Sequence, residues 1–79
     1  MSYVFHVLVE HRTGSWRAEC PALQDFGAVT SGETKEEALT HIHFILLTIL
    51  LDMERNGTEI PKDKIRPNSI PIEVDTAVR

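Results

Sequence analysis

The sequence predicts an α+β domain: a small antiparallel sheet in the order β-β-β-α-β, with one long helix packed on one face. Three observations carry this. Tyr3, Phe5, Val7 and Val9 alternate with Val4, His6, Leu8 and Glu10, the two-residue period of a strand with one apolar face. Thr34, followed three residues later by Glu37, forms a capping box before an apolar-periodic run that lasts to Asn56, where Gly57 can terminate a helix. Ile70, Ile72 and Val74 then alternate with Pro71, Glu73 and Asp75, and Pro71 confines that strand to an edge or a strand start.

Between these landmarks the elements follow in order. His11 to Ser15 is a polar, glycine-containing connection that reads as a hairpin loop. Trp16, Ala18 and Cys20 alternate with Arg17 and Glu19 as a second strand, which Pro21 stops. Ala22 to Asp25 reads as a short loop, and Phe26 to Ser31 as a third strand leading into Gly32. Gly32 is expected in a left-handed conformation at the turn from strand to helix. Thr34 should accept from the helix amides while Glu37 reaches back to the amide of the cap itself. Glu36 and Glu37 lie where the helix dipole favours negative charge. Ile60 to Asn68, with two prolines and alternating charge, reads as an extended connection.

The helix has two apolar faces. Ala38, Leu39, Ile42, Ile45, Leu46, Ile49, Leu50 and Met53 fall on one broad arc, sufficient to cover the sheet. Phe44, Leu47 and Leu51 form a second stripe near the opposite side. A helix apolar on both sides is usually buried on both sides, so this stripe is the candidate surface for self-association into a dimer or tetramer. The longest uncharged run falls short of the ~20 residues of a membrane span and contains His41 and His43, so no membrane association is expected.

Composition narrows the function classes. Seventy-nine residues make a single domain, 1–79, whose core is marginal without oligomerisation. Cys20 is the only cysteine, so no internal disulfide is available; with no signal-peptide pattern, a cytoplasmic location is expected. Twelve acids against eight bases, net charge −4, argue against direct nucleic-acid binding, which rests on phosphate neutralisation by Lys and Arg. The same balance suits a basic partner.

Catalytic and metal chemistry find little support in the pattern. His41 and His43 stand two apart on a helix, about 200° around its axis, and cannot chelate one ion together. His6 and His11 lie on and after the first strand, so no metal site is expected. Cys20 has no base beside it in sequence, and a small core residue is the reading adopted. Asp25, Glu33, Glu36 and Glu37 could offer paired carboxylates, yet Glu37 has a capping role and Glu36 a first-turn one. There is no phosphate-binding glycine motif, and Lys62, Lys64 and Arg66 form only a thin basic strip. The chain is read as non-catalytic and cofactor-free.

Taken together, Tyr3, Trp16-x-Ala18-Glu19-Cys20-Pro21-x-Leu23, Gly32-Glu33-Thr34-x-Glu36-Glu37-Ala38 and Gly57-x-x-Ile60-Pro61 resemble the HicB-like antitoxin domain family. The resemblance covers nearly the whole chain, and Ile72-Glu73-Val74 is similar to the family's last strand. It implies a small sheet with one long helix, assembled as a dimer or higher oligomer. It further implies a partner: a small basic, HicA-like messenger-RNA-cleaving toxin whose catalytic histidine the domain covers. Glu10, Glu19, Asp25 and Glu33 are the candidate partner-binding residues, chosen by charge. Two departures bear on this. The sequence stops at Arg79, where full-length members continue into a DNA-binding segment, so a stand-alone form without operator binding is expected. Asp25-Phe26-Gly27 stands where many members have a Pro-Gly-Cys-like turn. The alternative reading is an oligomeric scaffold of the same fold with no toxin partner.

Overall fold

The computed structural model describes residues 2–77; the end of the chain at Arg79 lies outside them. Strand β1 (Ser2–Arg12) pairs antiparallel with β2 (Ser15–Glu19), and a short 3-10 helix (Pro21–Phe26) leads to β3 (Val29–Gly32). Helix α1 (Lys35–Asn56) follows, and β4 (Ile70–Asp75) closes the sheet in the order β3-β2-β1-β4, every pair antiparallel. This is the α+β arrangement expected from the pattern.

The register decides which residues meet the helix. Tyr3 lies opposite Val74, Phe5 opposite Ile72, Val9 opposite Ala18, and Ala18 opposite Thr30. Since partners across a ladder share a face, Phe5, Val7, Ala18 and Val74 gather on one side. There they meet Ala38, Ile42, Leu46, Leu50 and Met53 of α1 in a buried core. Cys20, Ala22, Leu23 and Ala28 extend that core under the 3-10 helix.

The helix start depends on contacts as well as caps. Thr34 Oγ1 accepts from the Glu37 amide at 3.0 Å. The reciprocal arm differs from expectation: Glu37 Oε1 accepts from the Glu33 amide, one residue before the cap, at 3.0 Å. Gly32 is not left-handed either; the positive-φ glycines are Gly14, Gly27 and Gly57. Gly32 is required because the helix N-terminus approaches so closely that an added Cβ would stand 2.7 Å from the Ala38 nitrogen. At the other end Gly57 (φ 68) is left-handed, and Thr58 N–H to Met53 O completes a Schellman closure.

Strand boundaries shift in two places. β1 runs on through His11 and Arg12, because the hairpin needs only Thr13 and Gly14 between the paired Arg12 and Ser15. The stretch expected as a loop and the start of a third strand is instead the 3-10 helix, so β3 begins at Val29 rather than Phe26. Pro21, whose fixed φ suits a helix start, opens it, and Gly27 in a left-handed conformation closes it. Residues 58–69 are an extended connection as expected. They end in a turn in which Ser69 N–H bonds Arg66 O, with Pro67 and a left-handed Asn68 at its centre.

That connection also works on the sheet. β2 ends opposite Leu8, so the first half of β1 lacks a neighbour on that side. Asp63 fills the gap, one carboxylate oxygen accepting from the His6 amide at 2.9 Å and the other bonding His6 Nδ1. Pro67 and Asn68 then border a shallow groove with Leu8, Glu10 and Glu19 on the sheet face away from the helix.

Candidate functional site

The expected outward stripe of α1 divides in the structure. Phe44 is 62% exposed and Leu51 37% exposed, whereas Leu47 is partly buried and packs against the core. Phe44 instead finds company on its other flank. Phe26, half exposed at the end of the 3-10 helix, joins Phe44, Ile45, Thr48 and Ile49 around an apolar groove of about 230 Å³. The groove continues past Ile49 toward Met53, Asn56 and Thr58. Sequence reading missed Phe26 by placing it in a strand; the Pro21 and Gly27 that bracket it were the available signal.

The charge-chosen residues do not form one surface. Glu10 and Glu19 come together on the face of the sheet away from the helix, but two arginines neutralise them. Arg12 donates to Glu10 at 2.9 Å, and Arg17 lies 3.8 Å from Glu19, which also accepts from Gln24. Arg12 and Arg17, with Ser15, Val29, Thr30 and Ser31, line a shallow depression beyond them. Asp25 is exposed on the 3-10 helix, and Glu33 precedes the helix cap.

Three carboxylates on and beside β4 also stand outside the ion pairs among the described residues. Glu73 accepts from the Ser2 hydroxyl at 3.0 Å, and Asp75 accepts from the Ala77 amide at 2.9 Å. Glu54, in the last turn of α1, accepts from the Tyr3 hydroxyl at 2.6 Å and the Thr76 hydroxyl at 2.8 Å. The ion pairs among the described residues involve Asp63, Glu10 and Glu19, and none of them involves Glu54, Glu73 or Asp75. The hydroxyl donors hold the Glu54 carboxyl below its ordinary value, Tyr3 first and Thr76 second. The same bond raises the Tyr3 hydroxyl. A groove of about 250 Å³ between β4 and α1 is lined by His43, Leu47, Glu73 and Asp75.

The histidines are dispersed. His6 is engaged by Asp63, His11 lies against Trp16 with ring centroids 4.7 Å apart, and His41 Nδ1 bonds the Ser31 carbonyl at 2.9 Å. His43 lies edge-on to Phe44. Among the described residues no three His, Cys, Asp or Glu side chains converge as a metal site would require. Cys20 is fully buried, and burial pushes its thiol up, away from the thiolate a nucleophile needs. No helix among the described residues is long and apolar enough to cross a membrane. What the surface offers is an apolar groove on one flank of α1 and an acidic sheet edge on the other, both suited to protein contact. No family model, curated protein or solved structure matches the chain.

Proposed function

We propose that this chain is a non-catalytic interaction protein of the HicB-like type, which binds and occludes a small basic, HicA-like messenger-RNA-cleaving toxin in the cytoplasm. The observation that carries the reading is the pair of exposed carboxylates Glu73 and Asp75 on β4, outside the ion pairs among the described residues of a chain with net charge −4. Complementary charge speeds encounter with a basic partner and selects against acidic ones. The signature residues that resemble the family support the scaffold. Cys20 and Leu23 are core, Pro21 opens the 3-10 helix, Gly32 admits the helix start, and Thr34 caps it.

The test is co-expression with the product of the adjacent reading frame. A short basic neighbour, toxic alone and silent and co-purifying when co-expressed, is the expected outcome. A basic neighbour that remains toxic and never associates would overturn the reading.

The second reading, an oligomeric scaffold with no toxin partner, is favoured by one specific observation. Phe26 and Phe44 expose aromatic surface around a shared groove, the kind of patch that self-association buries. The two readings are compatible if the dimer or tetramer forms through that groove and the toxin binds elsewhere.

A further inference from the structure

The sheet has two edges, and they differ in what they leave open. On β3, the Ser31 carbonyl is taken by His41 and the Val29 amide by the Gly27 carbonyl, so the helix and the preceding turn already cover part of the strand. β4 has six residues and, among the described residues, no strand on its outer side. Its register fixes which groups point outward. His6 lies opposite Pro71, and the His6 amide points away from β4, to Asp63. In an antiparallel ladder such pairs alternate with those that exchange both bonds. The backbone groups of Phe5 with Ile72 and Tyr3 with Val74 therefore face each other, and those of Pro71, Glu73 and Asp75 face out. Pro71 sits where its missing N–H costs the sheet nothing. The outer edge presents the N–H and C=O of Glu73 and Asp75, and the C=O of Pro71.

The side chains beside that edge specify the occupant. Glu73 and Asp75 share the face away from the helix, while Ile72 and Val74 face α1. A strand added alongside would alternate in the same way. Its residues opposite Glu73 and Asp75 would meet carboxylates, and those between would point toward the α1 side, where His43 and Leu47 line a groove that Glu73 and Asp75 also border. A second copy of β4 fits poorly, because the register centred on Glu73 sets that carboxylate opposite its own counterpart. Acidic residues on an edge discourage such self-pairing. A strand alternating basic and apolar residues meets no such penalty. We propose that β4 is a docking edge for an extended segment of a partner chain in which Lys or Arg alternates with aliphatic residues. The site deepens the interaction role above and rests on that reading for its biological partner.

The probe is a short capped peptide alternating lysine and valine, with an alternating glutamate and valine peptide as control. The lysine peptide is expected to shift the amide resonances of Glu73 and Asp75 and slow their exchange with solvent. Its binding should weaken as salt is raised. Glu73→Gln with Asp75→Asn keeps the shape and hydrogen-bonding capacity of both side chains and is expected to lower affinity several-fold, to about tenfold. Circular dichroism on the variant confirms that the fold is retained. Absence of binding, equal binding of the acidic peptide, full affinity of the neutral variant, or perturbation confined to the Phe26–Phe44 groove would each overturn the site. A basic neighbour that co-purifies while the Glu73 and Asp75 amides stay unprotected would remove this edge and leave the interaction role standing. Peptide capture at β4 beside a neighbour that never associates would retain the edge and remove the role.

Discussion

At the scale of single residues, Glu54 carries the clearest pH signature. Its folded-state pKa lies below the ordinary 4.5, because the Tyr3 and Thr76 hydroxyls bond the charged form. A depressed acid pKa contributes stability that is present above 4.5 and lost as pH falls through the folded value. Tyr3 runs the other way: its raised pKa contributes below the ordinary 10.0 and is lost as pH climbs past it. Glu54→Gln is thus expected to flatten both limbs of a urea-midpoint-against-pH profile, and an unchanged profile would refute the pairing. Gly32 is a steric requirement. Gly32→Ala places a Cβ 2.7 Å from the Ala38 nitrogen and 3.0 Å from Glu37 Cβ, so the helix start must move. The expected loss is about 1–3 kcal/mol in denaturant unfolding. The sequence marked Gly32 as special but named the wrong reason. A glycine that turns the chain and a glycine that makes room look identical in one dimension.

At the scale of elements, α1 shows how far periodicity reaches. The inward arc followed from spacing, and so did the caps at Thr34 and Gly57. The outward stripe divides, because Leu47 lies beside β4, partly buried against the core, while Phe44 and Leu51 stay exposed. The consequences for mutation differ along the stripe. Phe44→Glu with Leu51→Glu is expected to lower any self-association by light scattering while leaving the circular dichroism spectrum intact. Leu47→Glu alone should destabilise the monomer by about 1–3 kcal/mol, since it brings a charge against apolar neighbours. Equal effects of the two substitutions on monomer stability would contradict the division seen here. The 3-10 helix was not legible, because six residues carry too few periods to separate it from a loop. Its outcome matters, since it turns Phe26 outward beside Phe44.

At the scale of the whole molecule, the connection 58–69 ties the sheet together. Asp63 serves the His6 backbone where β2 has ended, and nothing local to either residue announces a bond across 57 positions. Asp63→Ala leaves that half-buried amide without its partner. It is expected to cost about 1–3 kcal/mol and to speed hydrogen exchange at His6 before the rest of β1. Uniform exchange along β1 in the variant would show that the strap has no such role. Charge is likewise settled only by assembly. Glu10 and Glu19 have the same formal charge as Glu73 and Asp75, yet the register sets Arg17 directly opposite Glu10 and brings it beside Glu19. Glu73 and Asp75 on β4 therefore stay outside the ion pairs that Glu10 and Glu19 enter.

The sequence by itself determined the α+β class, the strand faces and the helix with its caps, and it confined β4 to an edge or left Pro71 at a strand start. Each depends on neighbours within a few residues, where backbone geometry imposes a fixed period and a small menu of turn residues. Only the tertiary structure decided which carboxylates pair with arginine, which outward helix residues stay wet, and which backbone groups of β4 face solvent. Those outcomes depend on strand register and on a strap that returns from far along the chain. A one-residue shift in register would exchange every face without changing a single local propensity.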